Sequence, residues 1–308
     1  ATMQSTSLHR QRAANELVHT NVTVDTRDHE DHTFAGIMFD VKSRAAMPIE
    51  YLEIQGIAVR GELGPITIWT TDQTFNNKHE SRDQWTLLYN KVQPESFTEL
   101  RALQLDIPVR LKPGESCGLY VHSSTPGDSQ IVYDNQRTDI THRDDFLEIL
   151  PGMAHLCNEP FSRFPEDASH WWGSPWRPRR EFVGRLSYGV RWLLWNPEVH
   201  EQLPPAFREI VWALSMSRHP RAGASLLSCL QSDILLFILN KVEWWAMGDP
   251  ASAAWRPPAA ALDPPAEPVP IQPRSYYHIR PQDFFWYTGE RDASEEEEDD
   301  DEVVEKDD

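Results

Sequence analysis

Catalytic signatures are missing from this sequence. It has no G-x-S-x-G elbow, no H-E-x-x-H pair, no P-loop glycines and no dinucleotide fingerprint. Ser, His and Asp occur, but no local motif gathers them into a nucleophile and a base. Neither catalytic residues nor a cofactor or metal site is therefore expected. Cysteine is scarce: Cys117, Cys157 and Cys229 are an odd set without short-range spacing, which suggests neither a disulfide framework nor a zinc cluster. The thiols are expected to be reduced.

Long apolar runs are also lacking. No stretch approaches the roughly 18 consecutive apolar residues that a membrane-crossing helix needs, and the N-terminus has no apolar core with a cleavage site. A cytoplasmic or nuclear protein with no membrane partner is expected, for a sequence that starts at Ala1 and would be without any targeting signal carried upstream. Basic charge is thin, with 29 Lys and Arg against 48 Asp and Glu and a net charge of −19. Asp292–Asp308 holds twelve acidic residues against Lys306 alone, so this tail contributes −11 and leaves −8 on residues 1–291. No nucleic-acid partner is expected of so acidic a body.

What the sequence does have is period two. In Tyr51–Thr71, Leu52, Ile54 and Gly56 alternate with polar or small neighbours, Gly61-Glu62-Leu63-Gly64-Pro65 interrupts, and Ile66 and Ile68 resume. This reads as a β-hairpin. Similar segments follow at short intervals: Thr33–Val41, Ile49–Val59, Pro65–Thr71, Trp85–Lys91, Leu103–Leu111, Gly118–His122, Gln130–Asp134, Phe146–Leu150 and Glu181–Tyr188. Asn76-Asn77, Pro94, Pro113-Gly114, Pro126-Gly127 and Pro151-Gly152 punctuate them. Short strands without intervening amphipathic helices pair antiparallel. The expected fold is mainly β, an antiparallel β-sandwich or jelly roll with a small C-terminal helical module.

After Trp195 the period lengthens to that of a helix. Asn196 caps a turn started by Pro197, and Pro205 opens a helix with Phe207, Ile210, Val211 and Leu214 on one face. Ser225–Met247 is apolar at helical spacing until Gly248-Asp249-Pro250 stops it. The expected organisation is a polar segment 1–19, a β-sandwich 20–192 that folds by itself, a helical module 193–250, a Pro-rich linker with an aromatic patch 251–290, and a disordered acidic tail 291–308 with Ser294 as an acidophilic kinase site.

Two resemblances follow from particular residues. Leu230, Asp233, Ile234, Leu235, Ile238, Leu239 and Val242 fall on the pattern of an F-box, which resembles here only in its first half, since Gln231 stands where Pro is expected and nothing after Trp244-Trp245 continues it. The resemblance implies a ubiquitin-ligase adaptor as partner; an ordinary core-facing helix explains the same leucines. Gly36-Ile37-Met38-Phe39-Asp40-Val41, Ile54-Gln55-Gly56-Ile57 and Pro65-Ile66-Thr67-Ile68-Trp69 are similar to the opening of PHR-type β-sandwich recognition domains, which implies a protein-binding sandwich.

The leading expectation is thus a non-enzymatic protein-recognition module, with Leu230, Ile234, Leu235, Ile238 and Leu239 as partner-binding candidates. Trp171, Trp172 and Trp176, in a loop expected over Asn158–Arg180, are candidates for a carbohydrate-binding platform, although with Trp192 and Trp195 they equally suit a packed seam. A hydrolase on a jelly-roll scaffold, its residues drawn from separate strands, is the third class. Asp28-His29-Glu30-Asp31-His32 reads as a solvated turn rather than a metal site, as do Asp128, Asp134, Asp139, Asp144 and Asp145 rather than a calcium site. Arg177, Arg179 and Arg180 read as a small exposed basic spot.

Overall fold

The computed structural model describes residues 19–164, 174–217, 219 and 226–247. The polar segment before residue 19, the linker and the acidic tail lie outside the described residues, as do Trp171 and Trp172.

The expected antiparallel β-sandwich is what the chain forms. Its strands are β1 His19–Asp25, β2 His32–Phe34, β3 Gly36–Ser43, β4 Ile49–Gly61, β5 Gly64–Asp72, β6 Thr86–Gln93, β7 Ser96–Leu111, β8 Ser116–Ser123, β9 Ile131–Asn135, β10 His142–Arg143, β11 Leu147–Ile149, β12 Gly152–His155, β13 Trp176–Phe182 and β14 Arg185–Trp192. A four-stranded sheet runs β1-β14-β4-β7, and a ten-stranded sheet runs β2-β9-β13-β12-β3-β8-β5-β6. Strands β11 and β12 succeed one another along one edge of β3, with β10 beside β11.

Alternation explains why two layers form. In β3, Ile37, Phe39 and Val41 point inward, and in β8 Leu119 and Val121 do the same; with Leu52, Ile54, Ile57, Val59 and Leu186 from the small sheet they make the main core. The ring of Phe39 stacks on that of Phe182 at 4.3 Å in this core.

The segment that reads as a hairpin is not one. β4 pairs with β14 and β7 in the small sheet, whereas β5 pairs with β6 and β8 in the large one. The chain changes layers at Gly61–Gly64, where Gly61, Leu63 and Gly64 adopt φ of 138°, 59° and 73°. Glu62 and Leu63 donate their amides to the carbonyls of Ser129 and Gln130. Those bonds anchor a sandwich corner to a distant loop, and period two is the same on either side of a corner as of a hairpin turn.

Three further readings are corrected. Val22 and Val24 put β1 where no strand was expected, because six residues of alternation are hard to see beside a polar segment. The expected strand Glu181–Tyr188 is the end of β13 and the start of β14, broken at Val183-Gly184. Arg177–Arg180 is strand rather than loop, with the Arg180 guanidinium 5.9 Å from the Tyr133 ring.

The helical module consists of α1, Pro205–Ser217, and α2, Ser232–Lys241, with 3-10 turns at Pro197–Gln202, Leu226–Cys229 and Trp244–Ala246. The Asn196 side chain accepts from the amides of Glu198 and Val199, as its position predicts. No helix among the described residues is long and apolar enough to cross a membrane. The helices extend the sandwich core: Phe207, Val211, Leu235, Leu239, Trp244 and Trp245 belong to the same buried cluster as the strands. Trp192, at the end of β14, is the joint. Its indole stacks on Trp245 at 5.0 Å and 2°, meets the edge of Trp244 at 5.3 Å, and donates to Thr20 Oγ1 at 3.1 Å.

Candidate functional site

The expected apolar face of α2 divides in two. At 100° per residue, Leu235 and Leu239 lie on one side and Ile234, Phe237, Ile238 and Lys241 on the next. The first pair is buried in the core, while Ile234, Phe237 and Ile238 stay 43%, 51% and 37% exposed. Leu236 is exposed too, the Lys241 ammonium sits 5.5 Å from the Phe237 ring, and Leu230 is half-buried. On α1 the same division recurs, with Phe207 and Val211 buried and Trp212 and Met216 exposed. Each pair is spaced i, i+4, so each helix carries one stripe into the core and another to solvent.

Of the proposed aromatic platform, Trp176 is the member that can be described, and it is buried. Its ring stacks on His155 at 3.8 Å and 12° and meets His79 at 5.0 Å. That overturns its reading as an exposed sugar platform. The cause is alternation within β13, which turns Trp176 onto the outer face of the large sheet beneath covering loops.

That outer face is the part that sequence reading missed. Strand register lays Trp176, His155, Gly36, His122 and Thr67 in one row across β13, β12, β3, β8 and β5, and Met153, Met38, Tyr120 and Trp69 in the neighbouring row. Gly36 is needed in this row, since a Cβ there would come within 2.9 Å of Tyr120 Cε2 and 3.0 Å of His122 Cδ2. Residues 73–85 and 156–164 close over the rows. Phe75, Trp85 and Phe161 complete a second core with Met38, Trp69, Tyr120 and Trp176.

Hydrogen bonds set the protonation of its histidines. His122 Nε2 donates to the Cys157 carbonyl at 2.9 Å and His155 Nε2 to the Ser162 carbonyl at 2.9 Å, because a carbonyl can only accept. His155 Nδ1 is then the bare nitrogen that accepts the Tyr120 hydroxyl at 2.6 Å. Both rings are neutral. Burial pushes His122 down to about 4, and burial together with the neighbouring His122 pushes His155 down to about 3. Burial also raises the Cys157 thiol to about 11, so this cluster offers no activated nucleophile. The sequence signal was the alternation Leu119-Tyr120-Val121-His122, which assigns the polar pair to the face opposite the core without saying that loops cover it.

The charged segment Asp28–His32 binds the protein to itself. Arg60, fully buried, donates Nη2 to Asp28 Oδ1 at 2.7 Å and Nη1 to the Phe97 carbonyl at 3.1 Å, and also bonds Asp31. Asp134 accepts the amides of His29 and Glu30 at 2.7 and 2.8 Å. The turn is therefore clamped rather than merely solvated. Asp144 likewise accepts the amides of Phe146 and Leu147 and the Tyr188 hydroxyl at 2.7, 2.8 and 2.6 Å. No group of three or more His, Cys, Asp or Glu suited to a metal ion occurs among the described residues.

No protein-family model and no curated protein matches the chain. Among solved structures it is similar to the infectious bursal disease virus Gx strain structure, at 14% identity and a TM-score of 0.20, over 67% of this chain and 49% of that one. The T13 infectious bursal disease virus particle matches at 11% identity and a TM-score of 0.22, over 65% of this chain and 47% of that one. The chain spans about half the length of these viral chains. At such TM-scores nothing about this protein is read from them.

Proposed function

We propose that the protein is a non-enzymatic recognition module in which the sandwich is the scaffold and the helical module supplies a protein-docking face. The observation that carries this reading is the stripe Ile234, Phe237 and Ile238, held outward by the burial of Leu235 and Leu239 on the same helix. An exposed apolar i, i+3, i+4 set on a short anchored helix is how helices present themselves to protein partners. Trp212 and Met216 add apolar surface on α1. The more specific form, an F-box-like contact with a ubiquitin-ligase adaptor, draws support from the same exposure, since a docking helix must leave part of its apolar face uncovered. The sandwich itself would then recognise a second protein, as its resemblance to PHR-type domains implies.

The test separates the two stripes. Phe237→Ser and Ile234→Ser change exposed side chains and are expected to alter stability by no more than about 0.5 kcal/mol. They should weaken partner capture at least about tenfold, equivalent to ~1.4 kcal/mol. Leu239→Ala removes a fully buried side chain and is expected to cost about 2–5 kcal/mol. A purified cullin-ligase adaptor that ignores the wild-type chain sinks the ubiquitin-ligase form. Affinity purification in which wild type and Phe237→Ser retain the same proteins sinks the docking face altogether.

A further inference from the structure

The second core has an unusual content for a closed interior: His79, His122 and His155 all border it, linked through Trp176 and Tyr120. His155 is stacked on Trp176, His79 meets that indole in a T-shaped contact, and the His122 and His155 rings are 5.6 Å apart. The atoms His122 Nδ1, His79 Nδ1 and Trp176 Nε1 are buried without a hydrogen-bond partner. Of the cluster's bonds, the one from the Tyr120 hydroxyl to His155 Nδ1 requires a neutral ring, whereas the two Nε2–H bonds to carbonyls are made by either form, so protonation acts through the buried, unpartnered charge. A proton on His155 Nδ1 would remove the acceptor of the Tyr120 hydroxyl, and a proton on His122 Nδ1 would bury a charged donor with nothing to receive it.

Among the described residues no carboxylate is placed to take that charge. On the sheet, Asp40 spends its oxygens on Thr74 Oγ1 at 2.6 Å and the Phe75 amide at 2.9 Å. On residues 73–85, Lys78 Nζ bonds the Asp72 carbonyl, Glu80 pairs with Arg163, Arg82 lies 5.2 Å from the Trp69 ring, and Asp83 is exposed. On residues 156–164, Cys157 is buried and Glu159 exposed. On β13, Arg177 donates to the Ser174 carbonyl. His79 and Tyr120 are the remaining titratable neighbours among the described residues: charge on His79 acts against a proton on His155, and Tyr120 holds its proton because burial raises it well above the ordinary tyrosine value.

The cover is also separable from the main core. Its polar anchors to the sheet are at Asp40, which holds Thr74 and Phe75, at Ser116, which exchanges bonds with Gln73, at Thr71 and Asp72, which bond Gln84 and Lys78, and at the two histidines, which hold the carbonyls of Cys157 and Ser162; the bond from the Trp85 indole to the Lys78 carbonyl at 2.9 Å lies within the cover. Gly118 lets it approach, since a Cβ there would fall 2.7 Å from the Phe75 amide nitrogen.

We propose that residues 73–85 and 156–164 form an acid-released lid, closed on neutral His122 and His155 and opened when these two rings take up protons. Opening would uncover Trp69, Tyr120 and Trp176 as a new aromatic surface on the large sheet and would expose Trp85 and Phe161 on the lid itself.

Because burial lowers both values below the ordinary 6.5, the closed state is intact above that value and is lost as pH falls toward about 4 and about 3. Each ring then raises the opening constant about tenfold per pH unit below 6.5, so from pH 7.5 to 5 the rise is roughly 30-fold for one ring and about 1000-fold for both.

Hydrogen exchange on the full chain, corrected for intrinsic rates, reads this directly. The amides of Phe75, Lys78, Ser81, Trp85 and Ser162, which are bonded within the lid or to Asp40, should open with falling pH. Amides of β4 and β14 should not. His122→Gln keeps a donor for the Cys157 carbonyl but cannot titrate, and should reduce the slope by about one proton. Lid amides whose opening is the same at pH 7.5 and 5 overturn the proposal, as does an equal rise in β4 and β14, which would mean global unfolding. If the variant fails to fold, the wild-type comparison between lid and core amides still decides.

Discussion

Trp245→Ala tests whether the helices complete the sandwich or merely follow it. Trp245 is buried, and its indole lies flat on Trp192, the last residue of β14, at 5.0 Å. Removing it uncovers a ring that is otherwise fully buried and leaves Trp244 as the remaining contact at 5.3 Å on that side. An aromatic side chain of this size buries on the order of 150–250 Å², worth roughly 4–6 kcal/mol at 25 cal/mol/Å². Measured truncations of buried aromatics fall near 3–5 kcal/mol, and of that the offset ring pair itself accounts for roughly 0.5–1.5. The expected loss is therefore about 3–5 kcal/mol, a large part of a typical domain stability of roughly 5–15 kcal/mol. Urea unfolding followed by far-ultraviolet and near-ultraviolet circular dichroism should show one transition in both signals, shifted together to lower denaturant. A loss below about 1 kcal/mol, or two transitions of which the β-sheet signal is unmoved by the substitution, would refute a shared core. By the same reasoning residues 20–192 alone should be poorly soluble and recover with residues 193–248, whereas an equally stable, cooperative 20–192 fragment would contradict it.

Two further outcomes concern titratable groups. Burial pushes the Cys117 thiol up to about 12 and Cys157 up to about 11, while Cys229 is exposed; at pH 8 a disulfide reagent should therefore modify Cys229 at once and the other two only on unfolding, and three equally fast thiols would refute this. Asp144 is held below the ordinary carboxyl value, because the His142 ring, the Tyr188 hydroxyl and the Leu147 and Phe146 amides together outweigh burial, which acts the other way. Its contribution is present above the ordinary 3.8 and lost as pH falls through the lower folded value. Asp144→Ala should thus cost about 1.5–3 kcal/mol at neutral pH and flatten the acid limb of the stability curve, which an unchanged limb would disprove.

Much of the architecture was legible because alternation is a local signal with a single physical cause. Leu52, Ile54, Ile66 and Ile68 had to share a buried face, and they do. Which strand lies beside which is not local. The same alternation on both sides of Gly61–Gly64 serves a hairpin or a corner, and the difference lies in bonds to Ser129 and Gln130, far along the chain. Helical period was legible in the same limited sense. Both leucine rows of α2 are apolar at the right spacing, but which row faces the core depends on where Trp192 and its neighbours stand. An ordinary core-facing helix would bury both rows; the fold buries Leu235 and Leu239 and leaves Ile234 and Ile238 outside.

The polar residues were less legible, for an electrostatic reason. Asp28, Glu30, Asp31 and His32 look like a solvated run because isolated charges belong in water. What makes Asp28 and Asp31 part of the structure is Arg60, the one cation of β4 and buried at the end of its apolar run, whose burial is tolerable only with carboxylates on it, while Glu30 is bonded by Arg137 and Asn135. Arg60 was therefore the residue to question: an arginine amid Ile57, Ala58 and Val59 demands an anion from elsewhere in the chain. The same question put to His122, between Val121 and a buried Ser123, leads to the covered face of the large sheet. A polar side chain on a strand whose neighbours are all buried implies a partner or a lid, and here Cys157 and Ser162 bring both, their carbonyls receiving the two imidazole N–H groups.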